Sequence, residues 1–268
     1  IEKMDEMYLL TSYYKNYIIE FIKKYAYNSG HKTGVVGLSG GVDSSLTYSL
    51  TCEAFGEKNT IGVIMPYKTS KKSFKGNAEK LAQLKGGRIR YHEITGIVDS
   101  FKKQFENITS IRLGNIMART RMIALYDTAS QFKGLVMGTG NKTEILLGYF
   151  TVYGDGGCSI EPLGDLYKTQ VWEMANMVGV PDEIINEKPT ADLWEGQTDE
   201  EELGIAYQKA DSILYLLFEK CFTREEAIAE GYNSKDIDNI IELAKKSCFK
   251  RHPPPVPLLR TQNINKYL

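Results

Sequence analysis

The stretch from Gly34 to Leu50, GVVGLSGGVDSSLTYSL, constrains the fold more than any other part of the chain. Val35, Val36 and Leu38 form a short apolar run of strand type. Ser39-Gly40-Gly41-Val42-Asp43-Ser44-Ser45 follows, and residues 43–55 then carry a helical pattern. Two glycines let the backbone turn tightly and aim successive N–H groups at one oxygen cluster. The helix that follows points its positive end at the same place, so the loop suits phosphate. The common nucleotide pattern GxxxxGK[ST] is absent, and an acid, Asp43, stands inside the loop. A carboxylate there repels phosphate unless a cation lies between, and Mg²⁺ takes carboxylate and phosphate oxygens together. The purely structural alternative is a Gly-Gly turn with Asp43 as a helix N-cap.

The rest of the chain places that loop in a sheet. A helix is expected over 4–27, from Met4, Tyr8, Leu10, Tyr14, Ile18, Phe21, Ile22 and Tyr25 ahead of Gly30. Strands are expected at 60–67, 88–94 and 134–140, with helices near 74–84, 96–105 and 113–131 between them. This alternation predicts an α/β fold: a doubly wound parallel sheet with flanking helices, its ligands beyond the carboxyl ends of the strands. The glycine-rich segments 39–41 and 138–140 both follow strands and so belong on that edge. Residues 141–165 lack periodicity and are long for a structureless loop, which marks a functional segment. The chain then turns helical at 167–179, 199–219, 223–230 and 234–249. Thr198-x-x-Glu201 and Thr223-x-x-Glu226 fit the capping-box pattern. The tail RHPPPVPLL reads as extended. No repeat or low-complexity linker divides the 268 residues, so 1–268 reads as a single domain with a C-terminal helical portion.

A net charge of -1 argues against nucleic acid as the main ligand, and no apolar run approaches the length of a membrane span. Cys52, Cys158, Cys221 and Cys248 are scattered, without CxxC spacing or a histidine cluster, which gives no zinc site. They read as reduced, mostly buried thiols of a cytoplasmic protein. The N-terminal IEKMDEMYLL lacks the layout of a signal peptide.

LSGGVDSS resembles the pyrophosphate-binding loop of the ATP pyrophosphatases, which cut ATP between its α and β phosphates and adenylate an acceptor oxygen. Three later segments narrow the resemblance: MGTGNKTEILLGYFTVYGDGG (137–157), KPTADLWEGQTDEEELG (188–204) and KRHPPPVP (250–257) are similar to those of NAD synthetases, as is ARTRM (118–122). Only 38 residues precede Ser39, too few for the amidase domain of the glutamine-dependent members. The resemblance is therefore to the ammonia-dependent branch. It implies a C–N ligase of NAD biosynthesis that converts ATP, deamido-NAD and ammonia to NAD, AMP and pyrophosphate, works as a homodimer and uses Mg²⁺.

Residue by residue, the resemblance implies ATP binding by Gly37, Leu38, Ser39, Gly40, Gly41, Val42, Asp43 and Ser44, with Thr139, Lys168 and Thr190. It implies Mg²⁺ on Asp43 and Glu144, and deamido-NAD on Arg119, Lys250 and Arg251. Arg121 receives no role. Lys168 would follow pyrophosphate as it leaves, and Asp155 in YGDGG would bind ammonium or take its proton. Each has a plainer reading. Glu144 could be a solvated loop acid, Lys168 a surface lysine, Arg119 half of a helix-surface ion pair, and Lys250 and Arg251 cations at a helix C-terminus. Thr139, Thr190 and Asp155 could be turn residues. The pattern departs on the dinucleotide side: Val152 stands where many relatives have lysine, Ser159 where some have an acid, and Phe249 where histidine is frequent. The helix at 113–131, with Leu113, Ile116, Met117, Ile123 and Leu125, is a candidate dimer element, and 69–80 a candidate lid. Two rivals remain: an ATP pyrophosphatase with another acceptor, and an adenine-nucleotide sensor that performs no chemistry.

Overall fold

Four strands, β1 (Thr33–Gly37), β2 (Thr60–Ile64), β3 (Arg88–Tyr91) and β4 (Gly134–Met137), pair in parallel in the order β3-β2-β1-β4 in the computed structural model, which describes residues 12–194 and 196–257. Gly34 of β1 lies opposite Thr60 on one side and Leu135 on the other. The chain moves outward from β1 to β2 and β3, then returns to β4 on the far side. The loops after β1 and β4 therefore part in opposite directions and leave a crevice between them. Beyond β4, a single parallel bridge from Met137 to Ile160 extends the edge.

Helices cover both faces, as expected for strands that are nearly continuous in apolar residues. On one face α2 (Val42–Phe55) lies between the sheet and α1 (Ser12–Asn28), so that Ser44 through Cys52 are all buried. Two of its buried hydroxyls bond within the helix: Ser49 Oγ donates to Ser45 O at 2.8 Å and Thr51 Oγ1 to Thr47 O at 2.7 Å. On the other face lies α5 (Ser110–Phe132), whose Met122, Leu125 and Ala129 meet Val35, Ile61, Val63 and Val136. The edge carries α3 (Lys72–Lys85) and α4 (Thr95–Lys103).

The remaining helices are α6 (Lys142–Leu147), α7 (Lys168–Met177), α8 (Asp182–Ile185), α9 (Asp199–Leu203), α10 (Tyr207–Leu214), α11 (Arg224–Ala229) and α12 (Ser234–Lys246). They bury a second cluster that includes Tyr167, Leu203, Tyr207, Ile213, Ile237 and Ile240. Trp172 of α7 packs against this cluster and against the core beneath α2, and so joins the two. None of the described helices is long and apolar enough to cross a membrane.

Several expectations shift. The first helix begins at Ser12 among the described residues, and its expected start at residue 4 lies outside them. Residues 141–165 are not uniformly irregular: Asn141 and Glu144 form a capping box that nucleates α6. The helix expected over 199–219 is broken at Gly204, which takes the left-handed conformation (φ 69°) and ends α9. The α10 helix then closes in a π turn at Tyr215–Glu219. The Thr223 capping box forms, but Thr198 makes no side-chain cap. Most of 69–80 is the opening of α3. Its Phe74 carbonyl would lie 2.1 Å from a Cβ at Gly40 (φ 92°), so that turn requires glycine. The thiols are all free, but only Cys52 is buried; Cys221 and Cys248 are exposed on a turn and a short 3₁₀ segment. Residues 252–257 carry no helix, and 258–268 lie outside the described residues.

Leu46 is fully buried between the sheet and the helices over it. Leu46→Ala is expected to cost about 2–5 kcal/mol of unfolding free energy in urea denaturation, and a loss below about 1 kcal/mol would contradict this packing.

Candidate active site

The crevice between the ends of β1 and β4 opens into a cleft of about 690 Å³. Its floor is the glycine loop. Gly41 is the N-cap of α2, and Ser39 and Ser44 tie the loop together: Ser44 Oγ donates to Gly41 O at 3.0 Å, Ser39 N–H donates to Ser44 Oγ at 3.3 Å, and Gly41 N–H donates to Ser39 Oγ at 3.3 Å. The loop is thus held in a tight turn, with the positive end of α2 at its back.

Above the loop, three segments converge. Lys168, the first residue of α7, is only 2% exposed. Its Nζ lies 2.5 Å from Asp43 Oδ2 and 3.5 Å from Glu144 Oε1. Burial and the helix N-terminus both oppose an ammonium there, so the Asp43 carboxylate must compensate it, joined by Glu144 when it is ionised. Burial alone would lower the Lys168 pKa, but Asp43 and Glu144 hold it above the ordinary lysine value. Glu144 keeps 16% of its side-chain surface open. Desolvation, with Asp43 beside it, pushes its pKa up to about 8, against the pull of Lys168. Asn141, itself fully buried, organises this group: its Oδ1 accepts the Glu144 N–H at 3.0 Å while its Nδ2 donates to Asp43 Oδ1 at 2.9 Å.

The two carboxylates therefore reach a single cationic atom, and the donors are hard oxygens suited to Mg²⁺. The Lys168 ammonium marks where positive charge is wanted. Asp199 is a third acid near this centre. It is 5% exposed, with its pKa raised by burial against the pull of Lys168. It accepts hydrogen bonds from Tyr149 Oη at 3.0 Å and Tyr207 Oη at 3.2 Å.

Of the residues singled out in the sequence, Gly37, Leu38, Ser39, Gly41, Val42, Asp43, Ser44, Thr139, Glu144, Asp155, Lys168, Thr190 and Lys250 line the cleft. Asp155 stands at its outer part. It is exposed by area but crowded by the walls, and this crowding raises its pKa against the opposing effects of the Thr151 N–H, Lys250 and Arg121. Lys250 Nζ donates to Gly148 O at 2.7 Å and Phe150 O at 2.8 Å, which fixes the loop that carries Asp155. Arg119 lies on the exposed side of α5, its Nε donating to Val152 O at 3.2 Å, outside the cleft lining. Arg251 also lies outside it, donating to Leu146 O and Ala244 O, each at 2.8 Å. Gly40 faces Phe74 rather than the cleft.

The sequence reading passed over Arg121, which lines the cleft and donates from Nε to Met65 O at 3.1 Å. Burial lowers its pKa, against the attraction of Asp192 and Asp155. It also passed over Asn141, although Asn-x-x-Glu at 141–144 is a readable capping signal.

The profile of the family described as NAD synthase matches residues 14–254. The NH(3)-dependent NAD(+) synthetase of Fusobacterium nucleatum is 42% identical over 245 residues, which span 91% of this chain and 95% of that protein. Among solved structures, the NMN synthetase of Francisella tularensis superposes with a TM-score of 0.82 at 30% identity, covering 92% of this chain and 98% of that one. The NH3-dependent NAD synthetase of Campylobacter jejuni does so with 0.79 at 31% identity, over the same shares of each chain.

The Glu144 environment has a measurable consequence. Its carboxyl ionises near 4.5 in the unfolded chain and near 8 in the fold, so between those values the native state keeps a proton that the unfolded state has released. Its contribution to stability without divalent cations therefore falls as pH rises through that window. Glu144→Gln is expected to lose more of its advantage at low pH and to flatten the fall between about pH 5 and about pH 8 in urea titrations. Parallel stability curves for the two proteins would contradict the assigned environment.

Proposed function

The chain belongs to the NAD synthase family, and we propose that its cleft makes NAD from deamido-NAD, ATP and ammonia, as an ammonia-dependent ligase. The observation that carries this reading is the convergence of Asp43, Glu144 and Lys168 above a phosphate-binding loop. The nicotinate carboxylate attacks the α-phosphorus of ATP, the bond to the β-phosphate oxygen breaks, and pyrophosphate leaves. Ammonia then attacks the carbonyl carbon of the adenylate, AMP leaves with the C–O bonding pair, and the nitrogen sheds a proton.

Each residue has one task in this scheme. Gly37 through Ser44 seat the phosphates, with Thr139 and Thr190 orienting the nucleotide from the other two sides of the cleft. Mg²⁺, when bound by Asp43 and Glu144, neutralises charge on the phosphate oxygens. Lys168, which pairs with the same two carboxylates here, turns its charge to phosphate and follows the departing pyrophosphate. Asp155 accepts the proton lost as ammonia attacks. Lys250 holds the Asp155 loop and presents its charge to the dinucleotide.

Arg119 shares an exposed face of α5 with Ile123 (65% exposed) and Tyr126 (44%), at helical spacing. A second copy packed on this face would bring Arg119 to a shared dinucleotide site, which supports the homodimer. Four free cysteines support a reducing, cytoplasmic setting. Arg251 serves the deamido-NAD side through the C-terminal turn that it holds in place.

One observation favours a second reading, in which the acceptor is the corresponding mononucleotide. The departures at Val152 and Ser159 fall on the dinucleotide side, and a close structural neighbour is named an NMN synthetase. Pyrophosphate release from Mg²⁺ and ATP, with deamido-NAD or nicotinate mononucleotide as acceptor and ammonium or glutamine as donor, separates the readings. NAD formed from deamido-NAD with ammonium alone is expected. Amidation of the mononucleotide in preference would establish the second reading, and no acceptor-dependent release would leave a sensor. Asp155→Asn is expected to lower the rate at limiting ammonium by at least ~10-fold with little change in ATP affinity, and an unchanged rate there would remove Asp155 from the mechanism.

A further inference from the structure

Asp211 is a carboxylate with no exposed surface, on α10 in the C-terminal helical portion. It does not line the cleft, and no task in the proposed reaction uses it. Both of its oxygens are nevertheless committed. Oδ1 accepts from Thr143 Oγ1 at 2.5 Å; Oδ2 accepts from the Thr169 N–H and from Thr169 Oγ1, each at 2.8 Å. Thr143 Oγ1 in turn accepts the backbone N–H of Lys168 at 3.0 Å.

Thr143 is the residue before Glu144, and Thr169 is the residue after Lys168. One carboxylate thus grips the chain beside each of two charged groups that come from different helices. It also occupies the N-terminus of α7, where a negative group is favoured and where two otherwise unpaired N–H groups need acceptors. The Lys168 ammonium belongs to that same helix end, and it and the Asp211 carboxylate attract each other. Among the described residues these three donor groups have no other acceptor at these distances, and removing a buried acceptor leaves each of them unsatisfied.

We propose that Asp211 is a positioning residue: it fixes α6 and α7 relative to each other, so that Glu144 and Lys168 meet Asp43 at one point. The C-terminal helices then serve the chemistry by supplying the acceptor that sets the spacing between the Glu144 carboxylate of α6 and the cation of α7. The catalytic consequence rests on the ligase reading above; the geometric consequence does not.

Asp211→Asn replaces one acceptor oxygen by an amide that can only donate, so at least one of the three donors loses its partner. Thr169→Val keeps the carboxylate and removes one hydroxyl. Ile240→Val, in the same C-terminal cluster, is the control for a loss of stability without a change at Asp211. Both test variants are expected to lower kcat, Asp211→Asn by ~10- to 100-fold and Thr169→Val by less. KM for ATP should stay within about threefold, and the Mg²⁺ concentration for half-maximal rate should rise. Hydrogen–deuterium exchange should quicken in residues 142–147 and 168–177 and stay unchanged in 33–37. Ile240→Val should leave kcat and the exchange of those two helices at the parent values.

Wild-type kcat and exchange in both test variants would overturn the proposal. So would an equal loss in Ile240→Val at matched melting temperature. If Asp211→Asn does not fold, Thr169→Val decides alone. If the parent protein forms no NAD, the ligase reading fails, and the exchange pattern still decides whether Asp211 sets the two helices.

Discussion

The contact of one buried ammonium with two carboxylates organises the active end of this molecule. Lys168, Asp43 and Glu144 come from the first turns of α7, α2 and α6, the last two being the helices that follow β1 and β4. A charge of either sign alone at this depth would be expensive, and the helix end beneath Lys168 makes a cation there more so. The group is stable only as a set, and the set exists only if the sheet places β1 beside β4. The strand order β3-β2-β1-β4 does this, because the chain reverses its direction of winding between those two strands. Fold and site are thus joined by one requirement: the crevice at the reversal must hold enough negative charge to keep a lysine inside it. Burial, with Asp43 beside it, raises the pKa of Glu144, and the same two acids fit the site to a divalent cation.

Much of this was readable in the sequence because the determinants are local. Gly40 and Gly41, set between an apolar strand and a helix, mark their turn in the local sequence, and the later segments carry the resemblance to the family. What escaped was held by contacts far apart in the chain. Asn141 has a readable local half, its capping box with Glu144, but its bond to Asp43 spans the sheet. Asp211 carries no local signal: it is one acid in an amphipathic helix until Thr143 and Thr169 are seen beside it. Arg121 and Arg119 lie two positions apart on one helix, and periodicity alone does not say which of them faces the cleft. The long helix expected over 199–219 failed for a different reason. Gly204 reads as tolerable inside a helical pattern, whereas here it takes a left-handed conformation and lets α10 turn back to bring Asp211 under α7.

The two sides of the cleft differ in how closely they follow the resemblance. On the nucleotide side, the loop, Thr139, Thr190, Lys168 and both carboxylates line one continuous surface. On the dinucleotide side, Ser159 turns its hydroxyl to the sheet edge, where it accepts the Val136 N–H at 3.2 Å, and Val152 offers only its carbonyl, to Arg119. The chain closes its own edge at positions where some relatives present charge. In the proposed reaction, the cations left to meet the acceptor's distal half are Lys250 and Arg121 in the cleft and Arg119 on the exposed face of α5.

In the proposed reaction Lys168 holds the place of a cation between Asp43 and Glu144 and turns to phosphate once a metal nucleotide arrives. A crystal structure of the protein with Mg²⁺ and a non-hydrolysable ATP analogue tests it most directly. An ion bonded to carboxylate oxygens of Asp43 and Glu144 is expected, with the Lys168 ammonium moved onto a phosphate oxygen. An ion bound elsewhere, or a nucleotide seated in the loop while Lys168 keeps both carboxylates to itself, would contradict it.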